Sequence, residues 1–142
     1  MHNFYTIISL DDAFDCYEMS KRDISKVPLY YYDFDKKDFL KIKGDKNKNG
    51  IIFINSYELC SRLIDDYLNQ SEMSQYKTDF LKISKNAKNK IISFLWFFES
   101  IDGCKDFNNF EIINVSKALK KWCKINNLKY SEPSVYVVRN SN

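Results

Sequence analysis

Two groups of carboxylates are spaced closely enough to act together. Asp11, Asp15 and Glu18 follow one another at intervals of four and three, with Asp12 beside the first. On a helix those intervals place the three on one face. Asp33, Asp35 and Asp38 make a second group. Clustered carboxylates have three chemical uses. They solvate a surface, they meet a cationic protein partner, or they hold a divalent metal for phosphoryl chemistry.

Lysines form the opposite feature. Lys82, Lys85 and Lys88 recur every three residues, and Lys117, Lys120, Lys121 and Lys124 share a second segment. Both groups lie opposite the apolar positions of their segments, as the outer face of any amphipathic helix requires. The same stripes could contact phosphates as point charges. Reading base edges normally uses Arg, Asn or Gln, and the only arginines are Arg22, Arg62 and Arg139. The frequent Lys, Ile and Asn have A/T-rich codons, so genome composition accounts for much of the lysine excess. Tyr30-Tyr31-Tyr32 offers large aromatic area, either for stacking on single strands or for a protein interface. On a strand Tyr31 faces away from Tyr30 and Tyr32, so at least one side of this run belongs to a core.

Other catalytic chemistry is poorly supplied. The single histidine, His2, has no Ser or Cys nearby to activate. Cys16, Cys60, Cys104 and Cys123 are far apart, without a Cys-x-x-Cys pair. They read as free, buried thiols rather than disulfides or zinc ligands. Gly44, Gly50 and Gly103 are the only glycines. Their spacing builds no phosphate-cradling loop. No enzyme activity, metal or cofactor is expected.

The elements that must position these residues are legible in part. Asn3 to Ile8 reads as a strand. Ser9 then caps a helix over 10–21, with Asp11, Asp12 and Asp15 near its N-terminus, where the helix dipole favours negative charge. Residues 29–34 and 38–43 have strand character. Gly44 to Gly50 is a turn by composition, so 38–43 and 50–54 are expected to pair across it as a hairpin. Asn55 with Glu58 forms a capping box for a helix over 56–69. Phe80, Ile83, Ala87, Ile91, Phe94 and Phe98 mark a helical segment over 75–100, with a break near 84–89. Its end, Ile91 to Phe98, is apolar nearly all round, so Phe94, Trp96 and Phe98 are expected in the core with Trp122. Gly103 is the stop signal. Residues 110–113 read as a short strand, 115–125 as a helix ended by Asn126-Asn127, and 134–138 as a closing strand.

Strands and helices are mixed without regular alternation. The expected fold is α+β, one domain over 1–142, with a mainly antiparallel sheet packed against amphipathic helices. Apolar residues at 44% and aromatics at 16% exclude a disordered chain. No run of about 18 apolar residues is present, and no membrane partner is expected. The start, Met1 to Ile8, lacks the pattern of a secretory signal, which places the protein in the cytoplasm. Charge is uneven. Residues 1–40 hold eight acidic and five basic residues, against 11 acidic and 17 basic in 41–142, within a total of +3. Two surfaces of opposite sign are expected.

In general character, as one compact domain with an A/T-rich bias and local acidic clusters, the chain resembles the small immunity proteins that accompany bacterial toxins, such as those of contact-dependent growth inhibition systems. The resemblance implies neutralisation of one cognate toxin, often a nuclease, by direct binding in the cytoplasm. Many nuclease-neutralising members are acidic overall, and this chain is not. The acidic clusters would then have to form the interface. Its expected residues are Asp11, Asp12, Asp15, Glu18, Tyr30, Tyr32, Asp33, Asp35 and Asp38. The alternative is a nucleic-acid-binding protein that uses its lysine-rich helix faces.

Overall fold

The computed structural model describes residues 6–44, 49–101 and 104–132. Strand β1 (Ile7–Ser9) runs directly into α1 (Leu10–Ser20). Then come β2 (Tyr30–Asp33), β3 (Asp38–Lys41), β4 (Gly50–Ile52) and α2 (Ser56–Leu68). A 3-10 turn at Ser71–Met73 leads into α3 (Ser74–Ser84), α4 (Lys90–Ser100), α5 (Cys104–Ile125) and β5 (Lys129–Ser131). The fold is α+β, as the pattern of elements requires. One sheet is antiparallel in the order β3-β2-β4, and the second pairs β1 with β5 in parallel.

Side-chain caps start the helices where the sequence places them. Ser9 Oγ accepts from the Asp12 amide at 3.3 Å. Asn55 Oδ1 accepts from the Glu58 amide at 3.0 Å. Asn89 Oδ1 accepts from Ile91 and Ile92, and its amide group donates to the Arg22 carbonyl at 2.7 Å. Each bond that these side-chain oxygens accept satisfies an amide that the first helical turn leaves without a partner. The break between α3 and α4 falls at 85–89, inside the polar stretch that predicts it. Helix α5 ends with Asn127 at φ 56°. The Leu128 amide reaches back to the Cys123 carbonyl at 2.8 Å, closing the left-handed cap.

Three expectations change. First, β3 and β4 do not pair with each other; both pair with β2. The tight hairpin joins β2 to β3, through a turn that Asp33 organises. Asp33 Oδ1 accepts from the amides of Asp35 and Lys36 at 2.9 and 2.8 Å, and Lys37 takes φ 51°. An aspartate supplies here what the glycines were expected to supply. Strand β4 therefore lies along the other edge of β2 from β3. Gly50 is needed there, because a Cβ would lie 2.5 Å from the Tyr32 carbonyl oxygen and 2.6 Å from the Tyr31 ring.

Second, residues 110–113 are helical and belong to α5. Phe107, Glu111, Val115, Leu119 and Trp122 occupy one inward stripe. A carboxylate within that stripe hides the period from the sequence. Third, Trp96 is not in the core; it is 74% exposed, while Phe94, Phe98 and Trp122 are buried in one cluster as expected. From Ile91 to Phe98 helix α4 is apolar nearly all round, but its neighbours cover only part of it. The expected strand ends at 3–5, the stop at Gly103 and the strand over 134–138 fall outside the described residues.

The core joins two aromatic groups. Tyr32, Phe39, Phe53 and Trp122 pack edge to face beneath the antiparallel sheet, and Trp122 Nε1 donates to the Ile52 carbonyl at 2.9 Å. Tyr67, Phe80, Phe94, Phe98 and Phe107 fill the space between α2, α3, α4 and α5. Replacing Phe94 by Ala should cost about 3–5 kcal/mol, through lost burial and the cavity left behind. Trp96→Ala should cost less than about 0.5 kcal/mol, because its side chain is already in water. Urea unfolding of the two variants checks both values, and a large loss for Trp96→Ala would contradict the placement of α4.

Candidate functional site

The sharpest concentration of charge lies where the first turns of α1 meet β3. Capping by Ser9 fixes the start of α1, and burial of Leu10, Ala13, Cys16 and Tyr17 fixes its rotation. Asp12 and Asp15 are thereby turned outward and exposed, with Asp11 half-buried. Asp38, the first residue of β3, comes close to them. The Asp12 carboxyl is held above its ordinary value, first by partial desolvation and then by the charges of Asp15, Asp38 and Asp11. Asp38 belongs to the second carboxylate group of the sequence. The fold therefore merges members of the two groups on one surface.

None of the ion pairs among the described residues involves Asp12, Asp15 or Asp38. Asp38 Oδ1 accepts from the Phe39 amide at 2.8 Å. The dipole of α1 offsets some of the repulsion, because Asp11 and Asp12 lie in its first turn. Among the described residues no three His, Cys, Asp or Glu side chains are arranged to hold a metal ion.

The other expected residues separate from this patch. Glu18 is taken up by Lys21, with Oε2 3.1 Å from Nζ. Asp33 holds the β2–β3 turn and accepts weakly from the Tyr31 hydroxyl at 3.4 Å. Asp35 is exposed on that turn. Tyr32 is only 4% exposed. It lies under the acidic patch as core, and its hydroxyl is pushed up by burial and then by Asp12, Asp38 and Asp33. Tyr32 therefore cannot offer its ring to a partner without the sheet opening. Tyr30 is half-buried beside a shallow depression lined by Ser20, Asn55, Ser56 and Tyr57. Of the lysines, Lys82, Lys85, Lys88, Lys117, Lys121 and Lys124 are exposed, whereas Lys120 pairs with Glu132 at 3.0 Å.

A buried polar cluster holds α1 in place, and sequence reasoning misses it. Lys21 Nζ lies 3.2 and 3.0 Å from the two carboxylate oxygens of Glu111, with both side chains almost completely buried. The Tyr17 hydroxyl donates to Glu111 Oε2 at 2.7 Å, and the Cys60 thiol lies 3.7 Å from the same oxygen. Next to it Ser20 Oγ and Ser56 Oγ are 2.7 Å apart. Burial alone would lower the Lys21 ammonium, but Glu111 and then Glu18 more than reverse this and raise it. Tyr17 is raised well above its ordinary value by burial and then by Glu111. The only sequence signal was a lone Glu on the apolar stripe of a helix.

Comparison of the chain with known protein families, with curated proteins and with solved structures finds no match.

Two outcomes follow from this chemistry. Glu111→Ala should cost about 3–5 kcal/mol, because it leaves the Lys21 charge buried without its main partner. The double change Lys21→Met with Glu111→Leu should recover much of that loss in the same unfolding assay. The second outcome concerns alkaline pH. Burial pushes the thiols of Cys16 and Cys60 up to about 12 and that of Cys123 up to about 11, from an ordinary 9.0. The unfolded chain sheds these protons near 9.0, while the folded chain keeps them. Stability should therefore hold up to pH 9 and fall as pH climbs above it. Unfolding free energies that stay level from pH 9 to 11 would contradict the burial of these thiols.

Proposed function

We propose that this chain is a non-catalytic binding module that neutralises a cationic protein, in the manner of an immunity protein acting on a nuclease toxin in the cytoplasm. One observation carries the reading. Asp11, Asp12, Asp15 and Asp38 come from two elements yet meet on one surface, and repulsion from the other three helps to raise the Asp12 carboxyl. Like charges brought together in this way oppose folding. A partner that brings lysines or arginines to the patch relieves that repulsion on binding, so the interaction is strengthened by a cost already present in the free protein.

A nuclease must present cations to hold phosphate, so its substrate surface has the sign this patch would meet. Charge complementarity speeds encounter and selects the partner. The patch stands on a capped helix and a paired strand, so little ordering is lost on docking. Half-buried Tyr30, reached from the other end of β2, is a candidate for the slower, apolar part of the contact. Tyr32 and Glu18 are withdrawn from the proposed interface, because one is core and the other is paired.

The experiment is kinetic binding to the product of the neighbouring gene at two salt concentrations. Asp12, Asp15 and Asp38 are replaced together by Asn, which keeps the hydrogen bond at the start of β3. Association should slow roughly tenfold at low salt and far less at high salt, while dissociation changes little. Rate constants that do not respond to the triple change would remove the acidic patch from the interface. Steeply salt-dependent binding to random RNA, lost when Lys117, Lys121 and Lys124 are changed to Gln, would favour the nucleic-acid reading instead.

A further inference from the structure

The hairpin of α3 and α4 carries half of the large apolar side chains that the described residues leave exposed. They are Tyr76, Leu81, Ile83, Ile92, Trp96 and Ile101. Trp96 is 74% exposed, more than any of the others, and Ile92 at 41% lies one turn before it. These two share the outward face of α4, opposite the buried Ile91, Phe94 and Phe98. On α3, Leu81 and Ile83 are 55% and 48% exposed.

The same hairpin is basic. Residues 74–101 hold Lys77, Lys82, Lys85, Lys88 and Lys90 against Asp79 and Glu99. Lys90 is spent on Asp65 at 2.7 Å, and Lys77 bonds to Asn69 at 2.6 Å. Lys82, Lys85 and Lys88 are exposed, and none is in an ion pair among the described residues. Lys85 and Lys88 sit in the link that leads into α4, at the Ile92 end of its outward face.

We propose that the outward face of α4, centred on Trp96 and Ile92, docks on a lipid surface bearing anionic headgroups, with Lys82, Lys85 and Lys88 providing the attraction. An indole ring has an apolar body and a polar N–H, and it settles at the boundary between headgroups and acyl chains. Lysines at the Ile92 end of this face are drawn to negative lipid. The face is a ridge on one helix rather than a groove, so it suits a deformable surface that can close around it. A second copy of the chain fits less well, because its hairpin would bring the same positive charge to the contact. No helix among the described residues is long and apolar enough to cross a membrane. The sequence expectation of no membrane partner rests on the missing spanning run, and a face that only lies on the surface needs none.

The test uses the full chain and vesicles of phosphatidylcholine mixed with an equal part of phosphatidylglycerol, with pure phosphatidylcholine as control. The protein should sediment with the anionic vesicles and hardly with the neutral ones. Tryptophan emission should shift to the blue on binding, and Trp96→Phe should abolish the shift, since Trp122 is buried before and after. Trp96→Ala with Ile92→Ala should lower partitioning by about tenfold or more. Changing Lys82, Lys85 and Lys88 to Gln should lower it roughly a hundredfold at low salt. Circular dichroism should show both variants folded, as none of these side chains is buried. Failure to bind anionic vesicles would overturn the proposal, as would binding that the Trp96 and Ile92 changes leave intact. A concentration-dependent oligomer that Trp96→Ala dissolves would also overturn it, by making the face a contact between copies.

Discussion

The fold depends on one buried carboxylate. Glu111 projects from α5 into a buried polar cluster, where it accepts from Tyr17 of α1 and from Lys21 just beyond it while touching the thiol of Cys60 on α2. Three helices are thereby tied through a single side chain. Burying charges is expensive, and a well-packed apolar trio of similar volume could stabilise the fold as well or better. What the polar cluster adds is direction. Apolar packing has no preferred direction, whereas the bonds from Tyr17 and Lys21 converge on the two oxygens of Glu111. Lys21 sits just past the C-terminal end of α1, and the helix of 11 residues carries Asp11 and Asp12 about 15 Å away at the other end. The acidic surface therefore inherits its placement from an interaction it does not touch.

Carboxylates of residues 1–40 gather around α1 and the start of β3, where Lys36 and Lys37 are exposed beside Asp38, and further exposed lysines stand on α3, on α5 and in the link between α3 and α4. Asn89 bridges the two regions, because it caps α4 and at the same time holds the Arg22 carbonyl beyond α1.

Sequence reasoning recovered what local chemistry decides. Ser9, Asn55 and the polar break before Lys90 announced the starts of α1, α2 and α4, because a capping side chain bonds to amides two or three residues away. It failed where the decision was tertiary. The hairpin was assigned to the glycine-flanked segment after Lys43, although Asp33 supplied a shorter turn and left β2 to be shared by both neighbours. Residues 110–113 of α5 read as a strand in the sequence, because Glu111 interrupts the apolar stripe and the partners that make a buried Glu acceptable lie ninety or more residues away. Trp96 was assigned to the core because an all-apolar helix has no periodicity to say which side is left uncovered. The acidic site was half legible. The two carboxylate groups were visible, but their union through Asp12 and Asp38, and the loss of Tyr32 and Glu18 to packing and pairing, required the fold.

Ser9 has an unusual double duty, as last residue of β1 and as cap of α1. No loop separates the two elements, so the helix begins in a fixed phase relative to the strand. Each residue of an α-helix turns by about 100°. An insertion of one residue after Ser9 would either unwind the first turn or rotate Asp11, Asp12 and Asp15 away from Asp38 while driving Ala13 and Tyr17 out of the core. Length variation is therefore forbidden at this joint, where Ile8 and Leu10 on either side of Ser9 are buried. The joint sets the angle of the carboxylates as a keyway sets the angle of a shaft. The residues that face a partner can change in type far more easily than the chain can change in length just before them.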